Sequence, residues 1–105
     1  MIEVKNEGLV VLTGCSHAGV VNTVKRAQQL TGNETVRAVI GGFHLGFPTT
    51  PLENVHATVE ALQDIGVQTI VPMHCSGLRA HAAFSESFSD RYVQPAVGTT
   101  LVFGR

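Results

Sequence analysis

Three short apolar runs constrain this chain more than any other feature: Gly8–Thr13 (GLVVLT), Thr35–Ile40 (TVRAVI) and Val67–Val71 (VQTIV). A strand with one wet face alternates apolar and polar residues. The first run is continuous, the pattern of a strand buried on both faces, and the other two read as strands. The segments between them follow helical spacing instead. Val20, Val24, Ala27 and Thr31 share one stripe of Val20–Leu30, with Val21 beside it, and Leu52, Val55, Val59 and Leu62 line one face of the next helix. Strands alternating with helices build an α/β fold, a largely parallel sheet joined by right-handed crossovers. The expected order is β-β-α-β-α-β-α-β. It starts with a short strand at Ile2–Lys5 turning through Asn6-Glu7-Gly8. It ends with a third helix at Gly77–Ser87, the pair Tyr92-Val93 and a terminal strand at Val97–Phe103 (VGTTLVF). At 105 residues this is a single domain, 1–105. With 44% hydrophobic and 14% charged residues the chain is not disordered. It holds more apolar surface than so short a fold readily hides.

Local signals set the expected helix ends. Ser16 is placed to cap the first helix and Gly32 to close it. Thr50-Pro51-Leu52-Glu53 reads as a capping box with proline at the first helical position, Gly66 as a stop, and Ser76 as the cap of the third helix.

The net charge is −1 with the seven Lys and Arg residues scattered, so no basic footprint for nucleic acid is present. No run of 18 apolar residues exists to span a membrane, and the N-terminus lacks the charged region and cleavage site of a signal peptide. Two cysteines, Cys15 and Cys75, do not make a disulfide framework in a domain this size. The expectation is a cytoplasmic protein with reduced thiols.

Sites in parallel sheets lie beyond the carboxyl ends of the strands. Three of the five histidines fall there: His17 in GCSHAG, His44 in GGFHLG and His74 in PMHCSG. Neutral imidazole is a common ligand of zinc and other transition metals, and three histidines around an open position can activate water. His17, His44 and His74 are therefore the expected metal ligands, for zinc or another divalent transition metal. His56 and His81 fall within helices and read as structural. Cys15 and Cys75 flank His17 and His74, so a mixed His/Cys site is chemically possible, although a small buried thiol is the commoner role. Ser16 lacks the G-x-S-x-G setting of a nucleophile and reads as a cap.

The stretches GLVVLTGCSHAGVVNTV, VRAVIGGFHLG and VQTIVPMHCSG, with the terminal VGTTLVF, resemble the metal-dependent hydrolase branch of the metallo-β-lactamase superfamily. The resemblance implies an αββα sandwich with a metal site along one edge, of which this chain matches only the C-terminal half, a mixed and mostly parallel sheet with helices on one face. It implies that His74 is the last metal-binding histidine and His17 another ligand. GCSHAG overlays either the family's third motif or its fourth, and in the second case Cys15 stands where the bridging aspartate would be. His44 is either a substitute ligand or a proton-transfer and substrate-binding group. The family's H-x-H-x-D-H motif is absent. The expectation is thus an incomplete centre, hydrolysing an ester or phosphate-type bond if active. It would be completed by a homodimer through the open sheet face or by a complementary N-terminal half. Two other functions remain open. One is a non-catalytic structural half that completes another polypeptide. The other is a small flavodoxin-like ligand binder, although no G-x-G-x-x-G or G-K-[ST] is present.

Overall fold

The computed structural model describes residues 1–104. Four strands form one sheet in the order β1 (Ile2–Val4), β2 (Gly8–Thr13), β3 (Val36–Gly42), β4 (Thr69–Met73). β1 is antiparallel to β2; the β2–β3 and β3–β4 pairs are parallel. The crossovers carry α1 (Val20–Thr31) and α2 (Leu52–Ile65), and α3 (Leu78–Phe88) follows β4 with a 3₁₀ turn at Ser89–Arg91. Strands and helices thus follow the apolar runs and the 3.6-residue stripes.

All three helices share one core with one face of the sheet. Leu9, Val11, Val36, Val39 and Ile70 meet Val20, Val24 and Ala27 of α1, Val55, Val59 and Leu62 of α2, and Ala80, Phe84 and Phe88 of α3. One irregularity shapes this face. Leu9 pairs with Val36 but Val10 pairs with Ala38, so Arg37 is an extra residue on β3. The bulge lets both Val36 and Val39 reach the core and turns Arg37 to the other face, where its guanidinium donates to Thr69 Oγ1 at 2.7 Å.

The helix starts differ from those expected. Gly19 precedes α1 at φ 92°, and the Ser16 hydroxyl makes no cap; the Ser16 carbonyl closes the turn instead, accepting from Gly19 N at 2.9 Å. α2 begins at Leu52 with Pro51 as the flanking residue, one position later than a capping box requires, and no side-chain cap hydrogen bond forms. Ser76 does not cap α3 either: Gly77 flanks that helix, and the Ser76 hydroxyl is engaged inside the protein. The closing signals act as expected, with Gly32 and Gly66 both left-handed and donating back into their helices.

The expected terminal strand over Val97–Phe103 is absent. Tyr92 makes a single parallel bridge to Ile70 on the free edge of β4, and Val93 N donates to Ile70 O at 3.0 Å. Pro95 has no amide to extend that ladder. A turn at Ala96–Thr99 follows, and the chain then returns toward the opposite side of the sheet. There the Arg37 guanidinium lies 5.3 Å over the Phe103 ring, and Gly104 N donates to Glu7 Oε1 at 2.8 Å. Glu7 pairs with Arg37 at 3.3 Å. This stretch crosses the non-helical face rather than following an edge, so it has no ladder to join. Val10, Ala38 and Val71, which lie on that face, are buried. The apolar surface expected to lie bare is partly covered from within; Ile2 and Leu12 stay exposed. Among the described residues no helix is long and apolar enough to cross a membrane.

His81 of α3 lies against this C-terminal stretch, its Nδ1 2.7 Å from the Tyr92 hydroxyl. Burial holds its pKa below the ordinary histidine value. The unfolded chain therefore binds more protons below about pH 6.5, and stability falls as pH drops through that value. The midpoint of urea unfolding should decline between pH 7.5 and 5.5, and His81→Gln should flatten the decline. An identical slope in the variant would show that His81 is not its source.

Candidate metal centre

The carboxyl ends of β2, β3 and β4 are drawn together by two glycines. A Cβ on Gly41 would overlap Thr13, and one on Gly42 would stand 2.6 Å from Gly14 O and 2.9 Å from Cys75 Sγ. Only bare backbone lets the loops after β2 and β4 close over the end of β3. Gly42 N donates to Gly14 O at 2.8 Å, and the Thr13 hydroxyl donates to Gly42 O at 3.2 Å. The β3 and β4 loops are joined in turn: Leu45 N and Gly46 N both donate to Cys75 O, at 3.2 and 2.9 Å.

Ser76 locks this junction. Its fully buried hydroxyl accepts from Phe43 N at 3.1 Å and donates to Met73 O at 2.8 Å. It thereby ties the residue before His44 to the residue before His74. Both histidines, and Ser16 in the β2 loop, adopt left-handed backbone angles (φ 55°, 56° and 60°). That conformation is uncommon without glycine and persists where the surroundings enforce it, as at many functional sites.

The side chains of the three loops fall into two groups. Cys15 Sγ lies 3.0 Å from His74 Nε2, and the Cys75 thiol donates to Cys15 O at 3.4 Å. The donor atoms of Cys15, His74 and Cys75 all lie within 4.8 Å of one another, the one such metal-competent group among the described residues. In the second group the His17 and His44 ring centroids lie 4.5 Å apart with the planes tilted at 45°, and the His44 ring lies 4.6 Å from that of Phe47. His17 and His44 share a pocket of about 320 Å³ with Ser16, Asn54 and Thr58. The Ser16 hydroxyl and His44 Nδ1 are buried there without hydrogen-bond partners.

The three histidines thus reach one end of the sheet, but His74 gathers with the cysteines while His17 and His44 pair beside them. Neither cysteine is the fully buried thiol that is the commoner case; both are half-buried and free. His56 is exposed on α2. Desolvation, and then the neighbouring Cys75, raise the Cys15 thiol above its ordinary pKa. An ion here would have to displace that proton. Two thiolates and an imidazole are soft donors that suit zinc, and the thiolates would offset the charge of a divalent ion, which three neutral histidines would not.

Relatives bear on this geometry. No protein-family model matches the chain. It is 37% identical over 100 residues to the 7,8-dihydropterin-6-methyl-4-(beta-D-ribofuranosyl)-aminobenzene-5'-phosphate synthase of Methanocaldococcus jannaschii, covering 95% of this chain and 33% of that protein. It is 34% identical over 77 residues to an uncharacterized protein of the same organism, covering 73% of this chain and 28% of the other. The crystal structure of a metal-dependent hydrolase of the β-lactamase superfamily superposes with a TM-score of 0.88 at 34% identity, covering 99% of this chain. The chain has a metallo-β-lactamase-like fold. It spans about a third of the length of the curated relatives and 39% of the solved structure. Within that stretch the metallo-β-lactamase fold carries the donor group at the carboxyl ends of β2 and β4.

Ser76 was missed as a site residue because a serine before a helix reads as a cap. Ser76→Ala should cost about 1–3 kcal/mol in urea unfolding, since it leaves the Phe43 amide buried without a partner. A loss below about 0.5 kcal/mol would show that the junction does not depend on this hydroxyl.

Proposed function

We propose that this chain carries part of the metal centre of a metallo-β-lactamase-like hydrolase, holding zinc or another divalent transition metal through Cys15, His74 and Cys75. The observation that carries this reading is the convergence of those three donors within 4.8 Å at the strand ends of a fold shared with a metal-dependent hydrolase. A bound ion would supply Lewis acidity toward a carbonyl or phosphoryl oxygen. The chain's own residues do the rest. His17 and His44 wall the adjoining pocket and orient the substrate, and His44 is placed to move a proton. They are also the further donors that this edge offers to the ion. The substrate class proposed is an ester or phosphate-type bond; the phosphate in the name of the Methanocaldococcus relative supports the second.

Metal content of the purified protein, with its cobalt(II) spectrum, tests the donor set. One ion per chain is expected, with a thiolate-to-cobalt charge-transfer band. His74→Ala and Cys15→Ser should weaken binding by more than the roughly 10–100-fold that loss of an outer-shell partner costs. If His17→Ala and His44→Ala abolish loading while the cysteine variants retain it, the three-histidine set of His17, His44 and His74 holds instead.

Donors beyond these come from outside this stretch. The source proposed is a second copy docked on the non-helical face, where Ile2 and Leu12 remain exposed. Light scattering after size exclusion should give twice the 11.2 kDa chain mass. A clean monomer at micromolar concentration would remove the homodimer and leave a complementary polypeptide as the source.

A further inference from the structure

Cys15 and Cys75 are the chain's two cysteines. They lie 60 residues apart in sequence, in the loops after β2 and β4, strands that β3 separates. Gly42 sits between them, and its missing side chain opens the notch through which the Cys75 sulfur reaches the Cys15 carbonyl at 3.4 Å. The two sulfurs lie within 4.8 Å of each other. A disulfide requires about 2.05 Å, so they must close by less than about 3 Å, which rotation about the side-chain torsions supplies. The backbones need not move far: the Gly42–Gly14 and Gly46–Cys75 hydrogen bonds already hold the loops in apposition. Both thiols are half-buried, open enough to meet a small oxidant.

We propose that Cys15 and Cys75 are a reversible thiol–disulfide pair, oxidised within one chain by hydrogen peroxide. The step balances. One cysteine sulfur attacks a peroxide oxygen, the O–O bond breaks, and the first water leaves with a sulfenic acid behind. The second sulfur attacks the sulfenic sulfur, the S–S bond forms, and the second water leaves. Two thiols are oxidised by two electrons in all and one peroxide is reduced; a dithiol reverses the change. The pair requires no bound ion, so it stands apart from the metal reading. Its consequence for that reading is direct, because the disulfide ties up two of the three clustered donors and leaves His74 alone. Oxidation state would then decide whether the donor group exists.

The test uses the full chain, reduced, freed of metal with a chelator and treated with one equivalent of hydrogen peroxide. The expected product is a chain not cross-linked to any other, with no titratable thiol in place of two, lighter by two hydrogens, with a tryptic species joining the Cys15 and Cys75 peptides. Dithiothreitol should restore both thiols. In urea the reaction should slow by at least roughly tenfold, since unfolding dilutes one sulfur relative to the other. Cys15→Ser and Cys75→Ser should instead gain oxygen or dimerise through their one remaining thiol. Gain of oxygen by the wild-type chain without loss of two hydrogens would overturn the proposal. So would disulfide-linked dimers as the main wild-type product, or an equal rate in urea.

Discussion

The approach of bare backbone at Gly41 and Gly42 is the contact on which the rest of the site depends. A side chain at either position would collide with Thr13 or with Gly14 and Cys75, and the loops after β2 and β4 would be held apart by the full width of β3. With glycine there, strands that are not neighbours present their ends to each other. The close contact of Gly46 and Gly77 repeats the device one layer further out. Each added Cβ would come within 2.8 Å of a backbone atom, so there is little room for the surroundings to yield. The cost of so much glycine is conformational entropy in the unfolded chain, and the loops offset it with hydrogen bonds that run from one strand end to the next.

Polar groups then finish what the glycines permit. Ser76 ties β3 to β4, Thr13 ties β2 to β3, and the residues between are left with few choices of direction. The left-handed backbone at His44 and His74 follows from this crowding. It turns the two imidazoles to different neighbours, His44 to His17 and Phe47, His74 to Cys15. Two small groupings result where a single ring of histidines would otherwise be drawn.

The architecture was legible where it rests on long, repeated patterns. The runs GLVVLT, TVRAVI and VQTIV became β2, β3 and β4 because a strand's inner position shows in its own residues. The stripes of α1 and α2 did the same. Positions were missed where the deciding partner lies far along the chain. VGTTLVF has the composition of a strand, but a strand also needs an edge to pair with, and this stretch runs to Arg37 and Glu7 across the non-helical face instead. Ser16 and Ser76 look like caps by position; their backbone angles and burial are set by loops that no local window contains. At the site, the placement of His17, His44 and His74 at strand ends was readable from glycine and spacing. The prominence of Cys15 and Cys75 was not, because it depends on two sulfurs meeting across a third strand.

The Glu7–Arg37–Phe103–Gly104 contact joins residues 97 positions apart. Closing so long a segment costs entropy that grows with the logarithm of its length, and the return is an ion pair, a cation–π contact and a hydrogen bond at a partly exposed surface. A contact with so few partners at a partly exposed surface is of the kind that opens at low free-energy cost. Each opening would bare the non-helical face beside Val4 and Arg37, the face a second sheet would occupy. The C-terminal stretch and any such partner are therefore rivals for the same ground, and association would be paced by how often the chain's own tail lets go.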